Sequence, residues 1–293
     1  MKRIDLSVLV CLLLAVVPAR VPARGQLSAE GRDAFVRLFQ QGVEHYRAGQ
    51  HKEAAESYRR AIRLRPDFAE AHNNLGVAYN DLGLHAEAVA SLREAIRLDP
   101  KLPEAHRSLG YAYYKLGRPR EAVEALKQAV QLRPDSSLAY NNMGVAYIDL
   151  GLHAEAIEAL THAIRLTPDY AEAHYNLGTA HLGAGRYADS VGFFKQAIGI
   201  NPRSVEPHNT LGVAFYNLGR YKEAAAAFKR ALSLKPDYAS ARFILGATYL
   251  ALRDKASASK QYKILQSLDE GLARHLYNGI HQGMLLAVPN KKP

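Results

Sequence analysis

Sliding this chain along itself by 34 residues brings most of it back into register, and no other feature narrows its possible folds as far. Glycine recurs as Gly42, Gly76, Gly110, Gly144, Gly178, Gly212 and Gly246, and proline as Pro66, Pro100, Pro134, Pro168, Pro202 and Pro236. Alanine keeps the same step at Ala61, Ala95, Ala129, Ala163, Ala197 and Ala231. A fixed period of this size belongs to stacked arrays whose unit is a helix-turn-helix pair. Each unit buries its apolar face only against its neighbours, so the 293 residues form one quasi-linear array and not the two domains that length alone suggests.

Within a unit, about the first fourteen positions and about the eighteenth to thirty-first carry apolar residues at helical spacing, which predicts two helices. The glycine at position eight and the alanines at twenty and twenty-seven mark where two helix backbones approach closely, since a larger side chain there would overpack the contact. The proline at position thirty-two ends the second helix, because it lacks the N–H needed to continue it. Asp67 with Glu70 and Asp169 with Glu172 have the spacing of capping boxes, and Glu104 and Glu206 fall in the same first turn. Arg63, Arg65, Arg97, Arg165 and Lys235 gather towards the ends of second helices, so most charge suits the helix dipoles.

The array has distinct ends. Phe35 to Phe68 departs from the pattern at Gln41 and His45, as an end-capping unit would. Five regular units follow: Ala69 to Leu102, Pro103 to Ser136, Ser137 to Tyr170, Ala171 to Ser204 and Val205 to Tyr238. The seventh, Ala239 to Leu272, loses the turn glycine to Arg253 and the proline to Glu270. Leu272, Leu276, Ile280 and Met284 recur every four residues and predict a capping helix over 273–287, ahead of a disordered tail, 288–293. Before the array, 24–34 is a polar lead. The first residues have the order of a secretory signal: Lys2 and Arg3, an apolar run from Leu6 to Val17, then small-residue cleavage sites ending at Ala19 and Ala23. A run of twelve residues, apolar but for Ser7, is short for a membrane span, which favours a cleaved signal over an uncleaved anchor and points to an exported, periplasmic or secreted protein. Cleavage after Ala23 would remove Cys11, the only cysteine, and with it any disulfide or thiol nucleophile, while the formal charge would fall only from +10 to +8.

The punctuation Leu75-Gly76, Tyr79, Gly83, Ala88, Leu92, Ala95 and Pro100, repeated from about Phe35 to Leu272, resembles that of the tetratricopeptide repeat (TPR) family. The resemblance implies an all-α solenoid of about seven stacked units with a C-terminal capping helix, its first helices lining a concave groove. O-GlcNAc transferases carry similar arrays, but there the chemistry lies in a separate glycosyltransferase domain, and fewer than 25 residues follow the last unit here. No G-x-S-x-G, H-E-x-x-H or phosphate loop occurs, so neither catalysis nor a cofactor is expected. His72, His106, His174 and His208 share position four, where the family usually has tryptophan, and equivalent positions in neighbouring units stand ~10 Å apart. Zinc ligands converge to about 2 Å of one ion, so these histidines are packing residues and no metal site is expected. His51, His85 and His153, at position seventeen, are expected to be half-buried packing residues too.

On the first helices, positions two, five, six, nine, twelve and thirteen fall opposite the face that packs on the second helix, and the resemblance places them in the groove. Position six reads Gln40, Asn74, Ser108, Asn142, Asn176 and Thr210, six hydrogen-bonding side chains in one seam. Amides donate and accept at once, which suits an extended peptide backbone, and the groove of O-GlcNAc transferases uses a similar asparagine seam. The other reading of the seam is an inherited consensus residue without a ligand. Beside it stand Asn73, Arg107, Asn141, Tyr175 and Asn209 at position five, Tyr111 at nine, and Tyr114 and Tyr216 at twelve. The family's clamp for a C-terminal carboxylate needs lysine at five and asparagine at nine, and no unit has either. The sequence therefore points to a non-enzymatic scaffold for a protein or peptide. Two alternatives stand beside it: a binder of nucleic acid, acidic glycan or lipid head group through net charge, and an accessory subunit of a separately encoded enzyme. Against nucleic acid, bases are interleaved with acids and form no stripe with aromatic residues.

Overall fold

The computed structural model describes residues 28–282, so the leader, the start of the lead, residues 283–287 of the capping helix and the tail lie outside the described residues. Those described form fifteen α-helices and no strand. The first helices of the seven units are α1 (Ala29–Arg47), α3 (Ala69–Asp81), α5 (Pro103–Lys115), α7 (Ser137–Asp149), α9 (Ala171–Gly183), α11 (Val205–Asn217) and α13 (Ala239–Ala251). The second helices are α2 (His51–Leu64), α4 (His85–Leu98), α6 (Pro119–Leu132), α8 (His153–Leu166), α10 (Tyr187–Ile200), α12 (Tyr221–Leu234) and α14 (Lys255–Leu268), and α15 (Glu270–Gln282) closes the stack. No described helix is long and apolar enough to cross a membrane.

Each unit is closed by one contact. A Cβ on Gly144 would lie 2.4 Å from Cγ of Leu160, and one on Gly76 2.5 Å from Cγ of Leu92. In the first six units the partner is the residue at position twenty-four, namely Tyr58, Leu92, Leu126, Leu160, Phe194 and Phe228, and all six are buried. The missing side chain of the first helix is thus the seat for the largest core side chain of the second. Buried alanines on either side, such as Ala139, Ala146, Ala156 and Ala163, keep the two backbones close. In the seventh unit position twenty-four is Tyr262, whose ring lies 5.5 Å from that of Tyr277 in a tilted contact, and Leu276 of α15 takes the seat over Gly246, 2.5 Å from an added Cβ. The capping helix therefore substitutes for a second helix as well as covering the end.

Second helices start at position seventeen and end at thirty, one residue earlier than the sequence pattern suggests. The turn before them sets this register: Gly83 N donates to Asn80 O and Leu84 N to Tyr79 O, bonds that need a left-handed residue at position fifteen. Six glycines supply it with φ between 70° and 74°, and Arg253 supplies it at φ 61° in the seventh unit. The capping boxes do not form. The residues preceding α3 and α9 are Phe68 and Tyr170, neither of which caps the helix through its side chain, and Asp67 instead lies 3.8 Å from Arg65. Position thirty-four is needed for packing: Phe68 meets the rings of Phe35 and Phe39 edge-on, at 5.1 and 5.4 Å, so the cap is given up to the core. Side-chain caps occur at Ser28, Ser136 and Asp254. The lead is partly helical, since α1 begins six residues before Phe35.

Because a left-handed conformation costs a non-glycine residue about 1 kcal/mol or more, Arg253→Gly should raise the stability of the seventh unit by about 1 kcal/mol. Hydrogen exchange of α13 to α15 measures it, and slower exchange confined to those helices is the expected outcome.

Candidate functional site

First helices of successive units touch one another, whereas second helices meet mainly their own partners and the next first helix. The array must therefore curve towards the first helices, which form its inner face. This curvature alters the expected seam. Along position six, Gln40 is exposed and Asn74, Asn142 and Thr210 are half-buried, but Ser108 and Asn176 are buried at 3% and 9% exposure. Along position five, Asn73 and Asn141 are buried, and Arg107, Tyr175 and Asn209 are half-buried. The expectation that all these positions face outward is corrected for Asn73, Ser108, Asn141 and Asn176: a first helix packs on two neighbouring first helices as well as on second helices, so its polar flank is also an interface.

The amides there bond to protein. Asn176 Nδ2 donates to Asn141 Oδ1 at 2.9 Å, and Asn141 Nδ2 donates to Glu172 Oε1 at 3.2 Å, a relay joining the fourth and fifth units. Asn80 Nδ2 donates to the backbone of Ser108 at 3.1 Å, and the Tyr46 hydroxyl donates to Asp81 at 2.5 Å. Thr210 Oγ1 turns back to Glu206 O at 2.9 Å. The surface left open lies nearer the C-terminal ends of the first helices, where Tyr111, Tyr114, Ile148, Leu182 and Tyr216 are half-buried and Lys115 and Asn217 are exposed. Lys115 Nζ stands 5.3 and 5.7 Å from the ring centres of Tyr111 and Tyr114.

Burial raises the phenols of this face. Tyr175 is pushed up to about 12 by burial, and Tyr46 to about 12 by burial and then by its hydrogen bond to Asp81. Tyr114 and Tyr216 are raised for the same first reason. They are neutral hydroxyls throughout the ordinary pH range, able to donate and accept.

The histidines of position four do more than fill space. Nε2 of His72, His106, His174 and His208 lies 2.9, 2.9, 2.8 and 3.1 Å from the carbonyl oxygens of Pro66, Pro100, Pro168 and Pro202. A carbonyl can only accept, so Nε2 carries the proton and donates. In the seventh unit Arg242 Nη2 takes this role towards Pro236 O, at 2.6 Å. The sequence signal for this tie is a proline followed six residues later by a donor. Among the described residues no group of three His, Cys, Asp or Glu could hold a metal ion. His51, His85 and His153 are half-buried, and His153 fills the space beside Gly183, where an added Cβ would lie 2.5 Å from its ring.

Many basic side chains of the outer face are engaged with neighbours. Tyr113 is flanked by Arg93 and Arg118, at 5.7 and 4.8 Å from the ring centre, and Phe215 by Lys195 and Arg220, at 5.9 and 4.6 Å. Arg97 pairs with Glu94 at 2.6 Å and Arg118 with Glu121 at 2.6 Å. Between α4 and α6, over α5, lies an open cleft of about 480 Å³ lined by Ile96, Leu109, Tyr113 and Ala125 with a charged rim.

A phenol whose folded pKa lies above its unfolded value favours the folded state fully at pH below 10 and loses that contribution as pH rises to about 12. Stability should therefore decline across that window, and the absorbance of ionised tyrosine should show a fraction of the 17 tyrosines titrating only with unfolding.

The family profile of the cilia and flagella-associated protein 70 C-terminal domain matches residues 68–275, and a TPR repeat profile matches 42–83. Among solved structures, that of the MamA protein is similar with a TM-score of 0.53 at 28% identity, covering 59% of this chain and 94% of MamA. A tetratricopeptide repeat protein from Parabacteroides merdae gives 0.63 at 19% identity over 85% of this chain and 99% of its own. The pilF protein of Pseudomonas aeruginosa gives 0.63 at 21% identity over 73% and 98%. At those identities the last two likenesses concern the fold alone. Comparison with curated protein sequences finds no match.

Proposed function

The chain belongs to the tetratricopeptide repeat family, in the group of the cilia and flagella-associated protein 70 C-terminal domain, and from that premise we propose that it is a non-enzymatic scaffold holding a protein or peptide segment along its inner face. Proteins of this fold mediate protein–protein interactions and are typically non-catalytic. The observation that carries the finer reading is the row of half-buried tyrosines, Tyr46, Tyr111, Tyr114 and Tyr216, set among amides such as Asn142 and Asn209. Apolar rings with hydroxyl tips and amide neighbours give a peptide both contact area and backbone partners. The buried residues of position six, Ser108 and Asn176, belong to the stack itself, so the ligand surface is the tyrosine row with the accessible members of the seam: Gln40, Asn74, Asn142 and Thr210.

A basic start, an apolar run and small-residue sites, in that order at the N-terminus, support export of this scaffold to the periplasm or outside the cell, with anchoring by an uncleaved leader as the alternative. N-terminal sequencing of protein from its native host tests the placement: a start after Ala19 or Ala23 is expected, and an intact Met1 on soluble cytosolic protein would contradict it.

Tyr114→Phe combined with Asn142→Ala removes two hydrogen bonds from the groove without touching the Asn141–Asn176 relay. Each is worth about 0.5–1.5 kcal/mol, so affinity for a partner crosslinked in the native compartment should fall by about five- to a hundredfold. Under polyanion binding, loss of Arg97 and Arg165 would instead weaken binding and flatten its salt dependence. Titration of both double variants, with circular dichroism to verify the helices, distinguishes the two, and unchanged affinity of the groove variant overturns the proposal.

A further inference from the structure

We propose that the cleft over α5 on the outer face is a docking site for an aromatic side chain of a partner protein, one that carries an acidic residue beside it. The site is separate from the inner face and does not depend on the groove reading. Its floor is Ile96 of α4 with Leu109 and Tyr113 of α5, and it stays open, at about 480 Å³, because α6 presents only Ala125 there. The chain itself shows what fits such a floor. Position twenty-three, which Ala125 holds in the third unit, is Phe193 in the fifth. That ring packs on the cluster containing Leu177, beside Ile164, and its centre lies 5.0 Å from that of His181 with the planes 21° apart. Ile164, Leu177 and His181 are the residues that correspond to Ile96, Leu109 and Tyr113. In the fourth unit the second helix again supplies a ring, His162, stacked on Tyr140 at 5.1 Å and 15°. The third unit has Gln128 where His162 stands, so α6 brings a ring from neither position.

Two further observations choose the occupant. Residues 1–27 and 283–293 contain no Phe, Tyr, Trp or His, so the parts of this chain outside the described residues have no ring to offer, and it must come from another molecule. Charge at the mouth of the cleft is unevenly paired. Glu121 is held by Arg118 at 2.6 Å and Glu124 by Lys127 at 3.1 Å. Arg120 has no ion pair among the described residues, and Arg93 donates through Nε to the neutral hydroxyl of Tyr113 at 2.9 Å. The rim thus keeps a positive balance, which an acid next to the inserted ring would meet. The ring itself gains apolar contact with Ile96 and Leu109 and a stacking partner in Tyr113, as Phe193 does with His181.

The test offers acetylated and amidated heptapeptide pools, each with a fixed central residue and one fixed neighbour, to the immobilised full chain. Pools centred on Phe, Tyr or Trp should be retained about two- to tenfold over pools centred on Leu, since ring-on-ring contact adds to what an aliphatic side chain gains by burial. A Glu neighbour should strengthen retention over a Lys neighbour, and Arg120→Gln should narrow that difference while leaving the preference for a ring; equal retention of the Glu and Lys pools overturns the acidic half of the proposal. Ala125→Phe gives the third unit the residue of the fifth. It should keep its helices, with a Tm equal to or above that of the wild type, and lose the aromatic preference. Loss of the fold, or a Tm lower by several degrees, would mean that the floor cannot seat a ring and overturns the proposal. Equal retention of ring and Leu pools overturns it too, as does an aromatic preference that survives Ala125→Phe, which would put the binding elsewhere. Sedimentation velocity separates the remaining occupant: the wild type and Ala125→Phe should sediment alike, whereas self-association abolished by Ala125→Phe would give the cleft to a second copy of this chain and overturn the choice of a foreign partner.

Discussion

The whole array hangs on a recurring absence. A glycine at position eight leaves a hollow into which the second helix inserts a tyrosine, leucine or phenylalanine, with separations that a single Cβ would reduce to 2.4–2.7 Å. The close approach this permits lines both helices with alanine, fixes the unit as a rigid pair, and presents a constant shape for the next pair to stack on. Even the end of the chain obeys it, since Leu276 enters from α15 when the seventh unit does not provide the residue.

The join between units carries the second constraint. A proline follows six of the seven second helices and leaves a carbonyl at the turn, and at four of these joins a histidine six residues later, on the next first helix, donates to it, as Arg242 does at a fifth. This tie connects the local chain reversal to the angle between units. With first helices drawn against one another, the inner face becomes both an interface and a surface, and its polar side chains divide between the two tasks. Asn141, Asn176 and Glu172 bond one unit to the next, whereas the tyrosines nearer the helix ends stay accessible.

The charge of the chain follows the same logic. Arginines and lysines of the outer face lie over Tyr113, Phe215 and Tyr249 or pair with acids on the same helix, so the formal excess does not amount to a continuous basic surface.

Period, helix pairs, close-approach glycines, turn glycines and the fading of the last unit were legible in the sequence, because each depends on backbone geometry that only certain residues allow: a hollow needs glycine, a left-handed turn favours it, and proline cannot continue a helix. Other features could not be read from spacing along one helix. Asp67 and Glu70 have capping spacing, yet Phe68 occupies the cap because the rings of the first unit need it. Asn141 and Asn142 are neighbours in similar amide positions, yet one is fully buried and the other half-buried. The sequence by itself determined the all-helical repeat and its register, since those follow from local conformational preference repeated at constant period. Only the tertiary structure decided which polar residues bond the units together and which remain available, because that division depends on curvature between units, and curvature is set by packing across a join that no single helix contains.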